Sequence, residues 1–529
     1  MPVRVRPRAP YYSKMQFNST SSTKKIIIIG AGISGLSAGI YALQSGFDVT
    51  ILEKNPVVGG LCTGWNRQGR HIDGCIHWLT GTKENTILND MWKNVGAFKS
   101  QDDIIYLPSW GTFDYKGTKV TMWRDLDRAE KEWIEISPVD KKPIKKFFKM
   151  VRDFTTIELP LDMPINWLSP RRLLQLGFKV LNVWPSYLKT MLISKKRFAS
   201  HFKSPALRFA LRACQQGCGN LFSMIYSYAT VVAGDGGIPK GGSFQMAQRM
   251  KQRFIELGGD LRVNTEVKRI DVKNNAARGV ILTTGTKLPA DYVVSCLDPY
   301  YTTHHLLFGQ YVIRELEKRY REPHIHQAPS CVYVSLEVDD ELKDLPIPYS
   351  FICDKYSVGK KEFSHLTIRS YAYDKETFVK DGKTIMTIIL DQASDDFSYW
   401  IKLFRNKDEY NQEKTRLGNL VVDLISKQLP HLQGKIKVLD VATPMTYRRY
   451  TNNTRGAYMG YLLRHDRPGF VHSNKCRIKN LYLSGQWMQS PGGLPLAISQ
   501  GRFAIQRICR RNNLSYIFTP RYLTHKKSI

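Results

Sequence analysis

The 529-residue sequence contains no apolar run long enough to cross a membrane. The nearest approach, from Ile26 to Leu43, is interrupted by serines and by four glycines, among them Gly30 and Gly35. A spanning helix needs about 20 mostly apolar residues, and a signal peptide does not carry this glycine pattern. The sequence therefore predicts a protein that is cytoplasmic, dissolved or resting on a membrane surface, and that does not span a bilayer.

The nine cysteines have no regular spacing, and their odd number does not suit a disulfide framework. Cys214 and Cys218 form the only close pair, and no second Cys or His pair accompanies them, as a zinc site would require. We therefore expect reduced thiols, a reducing compartment and no bound metal.

Acidic residues are scarce: 46 Asp and Glu stand against 78 Lys and Arg, which gives a formal net charge of +32. This balance indicates an anionic neighbour, such as a membrane face, nucleic acid or a phosphate-bearing ligand, or else a solvated basic surface. Nucleic acid is the least favoured partner, because no recognised nucleic-acid module accompanies the charge.

The two ends of the chain lie outside the patterned sequence. Residues 1–23 are basic and Pro-rich without periodicity, so we expect a disordered lead-in, with Met15 as an alternative start. Residues 513–529 form a basic tail, and the chain from Arg502 onward has seven Lys and Arg and no acid. Such a tail suits either an anionic membrane or water.

The sequence between these ends predicts an α/β protein with a discontinuous dinucleotide-binding domain. Residues 24–60 show a β-branched strand, a glycine turn, a helix and a second strand, which is the start of a βαβ unit. The same alternation returns later in the chain. We therefore predict a Rossmann-like domain assembled from residues 24–100, 236–300 and 441–512. An α+β substrate domain is inserted as residues 101–235, which are mostly helical, and 301–440.

The glycine turn has the spacing G-A-G-I-S-G, formed by Gly30, Ala31, Gly32, Ile33, Ser34 and Gly35. The first glycine permits the tight turn, the second lets the backbone approach a pyrophosphate, and the third lets the helix pack on the strand. The helix N-terminus then offers N–H groups to phosphates. The alternative is a Gly-rich turn in an unrelated α/β protein.

Glu53 ends the second strand, 18 residues after Gly35. A carboxylate at this position accepts hydrogen bonds from ribose hydroxyls, and it would repel a 2′-phosphate. The sequence therefore favours FAD or NAD over NADP.

Glu53 and Lys54 are followed by the pair Gly59–Gly60. This combination resembles the extended FAD motif of the flavin amine oxidase and phytoene desaturase superfamily. In that family the Gly-Gly loop runs along the cofactor, where side chains would collide with it. The resemblance implies that the cofactor is FAD and that the Rossmann-like domain is an FAD-binding domain.

The C-terminal segment 480–509 resembles the flavin segment of phytoene desaturases, carotenoid isomerases and retinol saturases. That resemblance implies cofactor contacts for Gly485, Gly493 and Leu494. Amine oxidases of the superfamily usually carry Gly-Glu after this strand, whereas this chain has Gly485–Gln486, which favours the polyene branch. The segment 258–270 matches the family's adenine-contacting strand in pattern, which implies a backbone contact from Val267, with a plain amphipathic strand as the alternative.

The resemblance implies an FAD-dependent oxidoreductase that desaturates, saturates or isomerises carbon–carbon bonds of a hydrophobic isoprenoid, carotenoid, retinoid or other lipid. A flavin amine oxidase and a non-catalytic FAD-binding protein are the alternatives. No catalytic residue is assigned. His77, Arg448 and Tyr450 are candidates, because loss of a proton in desaturation calls for a base, but structural roles explain them equally well.

Residues 163–198 mix large apolar side chains with arginines and lysines. Helices of this composition lie in membrane interfaces, with their basic groups on anionic lipid heads. We expect either a peripheral membrane contact here or helices packed on the substrate domain's own core.

Overall fold

The computed structural model describes residues 23–158, 160–181, 183–214, 220–462, 477–514 and 516. The predicted lead-in, apart from Thr23, lies outside these residues, as do Met15, Cys218 and most of the basic tail. Seven cysteines lie in the described part of the chain, and none of them forms a disulfide there.

A five-stranded parallel sheet gathers strands that are far apart in sequence. Its members pair in parallel throughout. In spatial order they are Asp260–Arg262, Asp48–Leu52, Lys25–Ile29, Tyr292–Ser295 and Leu481–Leu483. Both faces of the central strand are covered, since Ile26–Ile29 are all buried, and this explains why that strand is a pure isoleucine run. Three chain regions therefore contribute to one sheet.

Layers of different kind cover the two faces of this sheet. One face carries the helices Ile33–Gln44, Gly242–Glu256 and Leu494–Arg511. The other carries an antiparallel sheet of Val267–Lys273, Ala276–Leu282 and Lys287–Pro289.

A second, eight-stranded sheet stands beside the first. Its strands run in the order Ile436–Ala442, Ser330–Val338, Lys383–Gln392, Lys361–Ser370, Tyr349–Val358, Ser109–Tyr115 and Thr118–Trp123, with Val379–Lys380 paired to the third. The helix Lys407–Gln428 covers one face, where it packs on Val332, Val334 and Leu336. Because side chains alternate along a strand, Cys331 and Tyr333 point to the opposite face, which borders a cavity.

Residues 101–235 are mostly helical, as the sequence indicated, but they also supply two strands of the large sheet. The prediction missed Ser109–Tyr115 and Thr118–Trp123, which pair with each other and with Tyr349–Val358. The first strand shows no alternation because its residues from Ser109 to Asp114 are buried on both faces of the sheet. The helices are Leu126–Ile136, Lys141–Phe154, Pro170–Leu181, Trp184–Leu192, Lys195–Ala199, Pro205–Ala213 and Leu221–Val232.

Two further strands lie where the sequence did not indicate them. Gly236–Pro239, at the start of the predicted segment 236–300, is a strand that pairs with Leu79–Thr80 and Ile104–Ile105. The strand Ile436–Ala442 crosses the predicted boundary at 440/441, because its pairing with Ser330–Val338 continues to Ala442. Besides several short 3-10 and π-helical turns, the described residues also form the hairpin Gly64–Arg67 and Arg70–Asp73 and the helices Ile87–Asn94, Pro299–Tyr301, Arg314–Arg321, Lys375–Phe378, Phe397–Phe404 and Pro444–Thr451.

Among the residues that the structure describes, no helix combines the length and apolar character needed to span a bilayer.

Candidate functional site

Each of the three glycines in the first turn is a glycine for a different physical reason. Gly30 has a φ of +95°, a conformation that side chains rarely adopt. A Cβ on Gly35 would lie 1.9 Å from the Gly30 carbonyl oxygen, so helix–strand packing requires a glycine there. A Cβ on Gly32 would meet nothing in the protein closer than 3.8 Å, and its φ of −71° is ordinary. The fold itself therefore does not require Gly32, which borders the cavity.

Two helix N-termini open onto this cavity without a side-chain cap. Gly32 is the N-cap of Ile33–Gln44, and Gly493 is the N-cap of Leu494–Arg511; neither has a side chain that bonds the first-turn N–H groups. Uncapped N–H groups at a helix start favour an anionic ligand, and the helix dipole adds to this preference. The N-termini of both helices thus favour binding of an anion in the same cavity.

Close contacts fix these two helices to each other. The Ser37 hydroxyl donates to the Ile498 carbonyl at 2.8 Å. The Ser34 hydroxyl lies 2.7 Å from that of Ser484, which follows the strand Leu481–Leu483 and so ties the first helix to the C-terminal segment as well. A Cβ on Gly501 would lie 2.5 Å from the Ser34 carbonyl oxygen. The position of one N-terminus therefore determines the position of the other.

Glu53 is a buried carboxylate at the end of its strand. Its Oε2 accepts from the Ala31 N–H at 2.8 Å, and its Oε1 accepts from the backbone and side-chain N–H groups of Asn55 at 2.9 and 2.8 Å. These bonds hold the carboxylate beside the glycine turn, and the side chain still borders the cavity.

The loop with Gly59 and Gly60 runs directly along the glycine turn. The Gly59 N–H donates to the Ala31 carbonyl at 2.9 Å, and Gly59 bridges in parallel to Gly32. A Cβ on Gly60 would lie 3.2 Å from the Cα of Gly32. Bare backbone from two loops therefore forms one continuous wall.

The C-terminal loop forms the facing wall. Gly485 and Gly493 have φ values of +118° and +88°, and a Cβ on either would meet little of the protein. The Oε1 of Gln486 accepts from the Gly493 N–H at 3.1 Å. The residue that departs from the amine oxidase pattern thus closes this loop.

A cavity of about 610 Å³ collects most of the predicted site residues. Twelve of the fourteen line it: Gly30, Gly32, Ile33, Ser34, Glu53, Lys54, Gly59, Gly60, Val267, Gly485, Gly493 and Leu494. Ala31 and Gly35 do not, since Ala31 supports Glu53 through its N–H and Gly35 packs on Gly30.

Sequence reasoning missed further residues at the Glu53 end of the cavity. Lys54 Nζ donates to the Arg449 carbonyl and to Asn452 Oδ1, both at 2.8 Å. Asn452 and Asp298 line the same cavity, and Asp298 accepts from the Thr454 N–H. No motif marks these positions, because they come from loops that only tertiary packing brings to the site.

Another part of the cavity is apolar and aromatic. Among the residues that line it are Trp78, Trp110, Phe113, Leu161, Phe222 and Tyr226. They come from the segment after the Gly-Gly loop, from the first strand of the large sheet and from the helical region. The cavity thus joins a polar, backbone-lined end to a region that suits an apolar chain.

The structure separates the three candidate catalytic residues. His77 lines the cavity, and its Nε2 is buried without a hydrogen-bond partner. Burial, and then the Arg369 guanidinium, hold the pKa of His77 well below its ordinary value, so the ring is neutral at pH 7. Arg448 is not among the lining residues and stacks over Phe397, with 5.6 Å between guanidinium and ring. Tyr450 borders the cavity beside Asn55, at the Glu53 end.

Two charged residues that the sequence did not single out also line the cavity. Arg369 and Asp391 sit on neighbouring strands of the large sheet, on the face away from its covering helix. Burial raises the pKa of Asp391, whose Oδ1 accepts from the Tyr458 hydroxyl at 3.3 Å. A charged residue in a strand is ordinarily expected to face water, and for this reason the sequence did not mark either residue as part of a cavity.

A parallel sheet with glycine turns, uncapped helix N-termini and a buried acid at the carboxyl ends of its strands is typical of dinucleotide-binding enzymes. A family model described as flavin containing amine oxidoreductase matches residues 33–509. The chain belongs to this family, and it is an FAD-dependent oxidoreductase.

Relatives of the carotenoid branch align with 82% or more of the chain. A 4,4'-diapophytoene desaturase (4,4'-diapolycopene-forming) of Methylomonas sp is 22% identical, over 94% of this chain and 97% of that protein. The chloroplastic prolycopene isomerase of Daucus carota is also 22% identical, over 82% of this chain and 71% of that protein. An oxidoreductase from Methanosarcina mazei, solved as a crystal structure, shares the fold with a TM-score of 0.57 and 15% identity, over 92% of this chain and all of that one.

Proposed function

We propose that the wall of bare backbone holds the FAD diphosphate and that Glu53 holds the adjoining ribose. The observation that carries this placement is the free space at Gly32. The protein has room for a side chain at this position, yet the residue is a glycine. The two uncapped helix N-termini, at Gly32 and Gly493, supply the N–H groups. Val267 and Lys54 lie at the adenosine end, and Gly485 and Leu494 lie toward the flavin.

On this reading the five-stranded parallel sheet is the core of a discontinuous Rossmann-like FAD domain. The eight-stranded sheet and the helices of residues 126–232 form the inserted substrate domain. The cavity lies where both contribute walls, since Gly32 comes from the first unit and Trp110 from the second. Ligand sites at such junctions are common in two-domain enzymes.

The reaction that this arrangement supports best is a change at a carbon–carbon bond of a hydrophobic isoprenoid or related lipid. The aromatic walls of the cavity offer an apolar chain a dry environment, and the relatives named above act on polyenes by their names. FAD supplies two-electron exchange when bound. The protein's own part is to align the chain, to exclude water and to accept or donate a proton.

Amine oxidation fits the cavity less well. Arg369 is a cation that the described residues leave without an acidic partner, and it would repel a protonated amine. Gln486, which stands where amine oxidases usually carry Glu, is engaged with the Gly493 N–H. These two residues favour the lipid over the amine.

The test is a visible spectrum of the purified protein after reconstitution with FAD, followed by anaerobic addition of polyene, retinoid and amine candidates. We expect stoichiometric flavin bands. A polyene or retinoid should bleach the oxidised enzyme, or reoxidise the dithionite-reduced one, while amines leave both unchanged. Absence of flavin bands would contradict the cofactor site, and bleaching by amines alone would contradict the substrate class.

We further propose that the helices of residues 165–192 rest on an anionic membrane. Seven large apolar side chains are exposed in this short stretch: Ile165, Leu173, Leu174, Phe178, Trp184, Leu188 and Leu192. The exposed Arg171, Lys189 and Lys196 flank them. Apolar side chains edged by basic ones are what an interfacial helix presents to lipid.

A line of aromatic rings connects this surface to the cavity. Trp184 stacks on Tyr187 with ring centroids 5.7 Å apart, Tyr187 contacts Phe222 at 5.6 Å, and Phe222 stacks on Tyr226 at 6.0 Å. The last two line the cavity. We propose that a lipid passes from the bilayer to the flavin along this line.

A further inference from the structure

Arg369 is a buried cation for which the described part of the chain supplies no partner. It is only 9% exposed, and although its backbone pairs with Thr387 in the sheet, its guanidinium forms no hydrogen bond or ion pair with the residues that the structure describes. Its side chain borders the cavity. An unpaired buried charge costs several kcal/mol, and buried charges in proteins are therefore usually paired.

The nearby acids are committed elsewhere. The buried Asp73 accepts from the backbone N–H groups of Cys75 and Ser243 and from the Ser243 hydroxyl. Asp391 faces Lys361 and Tyr458, and Arg369 is not among the groups that act on its pKa. The partner of Arg369 is thus expected to come from outside the chain, through the cavity.

The surroundings of Arg369 define the chemistry of that partner. Thr387 is the direct neighbour of Arg369 across the sheet. Tyr333 and Tyr371 lie close enough to act on the pKa of Arg369. His77 lies near enough that the guanidinium lowers the pKa of this histidine. A guanidinium presents two parallel N–H groups that match a carboxylate. One arginine beside a neutral histidine balances a single negative charge, whereas a diphosphate would bring more.

We propose, on the basis of the lipid-oxidoreductase function above, that the substrate is an unsaturated lipid that ends in a carboxylate, and that Arg369 binds this carboxylate. The apolar chain then occupies the aromatic part of the cavity. Arg369 is a specificity-determining residue in this arrangement, because it selects acids over hydrocarbons and alcohols of the same length.

The experiment measures equilibrium binding of radiolabelled oleate and of oleyl alcohol to the FAD-loaded protein, which requires no turnover. We expect the native protein to bind oleate at least about ten-fold more tightly than the alcohol, the ratio that a charge-assisted hydrogen bond supports. Arg369→Gln should weaken oleate binding by about ten-fold or more and leave the alcohol unchanged. Arg369→Lys should retain part of the preference.

Arg448→Gln is the matched control, since it removes an arginine that stacks on Phe397 and is not among the cavity-lining residues; its oleate affinity should equal that of the native protein. Equal affinity of the native protein for acid and alcohol would overturn the proposal even if Arg369→Gln did not fold. Loss of FAD from a folded Arg369→Gln protein would assign the guanidinium to the cofactor and would also overturn it. If instead the proposed reaction is wrong, no lipid will reduce or reoxidise the bound flavin. That result does not depend on how tightly oleate binds.

Discussion

At the scale of single residues, Gly32 and Gly35 differ in their role: the fold requires a glycine at 35, whereas at 32 only the proposed ligand does. We expect Gly32→Val to give a folded protein that retains little FAD, because the new side chain would point into the cavity and not into the protein. Gly35→Ala should instead lower the melting temperature, since its Cβ would lie 1.9 Å from the Gly30 carbonyl oxygen.

The measurement is the flavin-to-protein absorbance ratio together with thermal unfolding of the FAD-free proteins. Gly32→Val should unfold close to the native temperature, and Gly35→Ala should unfold well below it. If Gly32→Val keeps stoichiometric FAD, the diphosphate does not lie where we place it.

Asp235 predicts a pH dependence of stability. Burial raises its pKa to about 6, although its Oδ1 accepts from the backbone N–H groups of Gly81 and Lys83. An unfolded aspartate titrates at about pH 4, so the folded protein binds the extra proton between these values. This contribution to stability is present below about pH 4 and is lost as pH rises through about 6, at a cost of roughly 2 to 3 kcal/mol.

Asp235→Asn removes this titration while keeping an oxygen acceptor. The free energy of unfolding of the variant, relative to the native protein, should therefore rise by about 2 kcal/mol between pH 4 and pH 7 in urea titrations. Asp381→Asn, at an exposed turn, is the control and should run parallel to the native protein. Parallel curves for Asp235→Asn would show that its carboxyl titrates normally.

At the scale of elements, the crossing of Ile33–Gln44 with Leu494–Arg511 holds in place both N-termini that border the cavity. Gly501→Ala forces a Cβ to within 2.5 Å of the Ser34 carbonyl oxygen and 2.9 Å of the Ala38 nitrogen. We expect a loss of about 1 to 3 kcal/mol in stability, which is typical of an overpacked contact, and weaker FAD retention. Both are read from denaturant unfolding and flavin titration.

Gly177→Ala is the matched control for this substitution. Gly177 also lies within a helix, Pro170–Leu181, but a Cβ there would meet nothing within 4 Å. The change should leave FAD affinity unaltered and stabilise the protein by about 0.5 to 1 kcal/mol through helix propensity. Equal effects of both substitutions would mean that the helix crossing does not govern the site.

The same elements show what the sequence could and could not predict. The isoleucine strand, the glycine turn and Glu53 were predictable, because local rules fix a βαβ unit within 30 residues. The strand Ser109–Tyr115 was not, since it is buried on both faces and so lacks the alternation that marks a strand, and the Tyr349–Val358 strand that joins it to the large sheet lies more than 200 residues away. The place of Arg369 in the cavity could not be predicted for a related reason. An arginine in a strand suggests a solvent-facing position, and only the assembled cavity shows that this side chain points inward.

At the scale of the whole molecule, the proposed membrane contact would give the net charge of +32 and the exposed apolar helices a common role, since a negatively charged bilayer attracts both. Basic residues contribute about 1 kcal/mol each near such a surface, over a distance that salt shortens. The apolar side chains add a contribution that salt does not screen. Binding should therefore weaken, but not vanish, when salt rises from low to physiological concentration.

Liposome flotation with vesicles of neutral or anionic lipid separates these contributions. The native protein should float with anionic vesicles at low salt, and Phe178→Ser should bind about ten-fold less or weaker still, because burying such a side chain contributes about 1.5 to 3 kcal/mol. Phe404→Ser is the control, since Phe404 is 48% exposed compared with 62% for Phe178 but lies in the helix Phe397–Phe404 of the other region. If the native protein stays at the bottom of the gradient at low salt, or if both variants lose binding equally, the lipid must reach the cavity by a route other than the helices of residues 165–192.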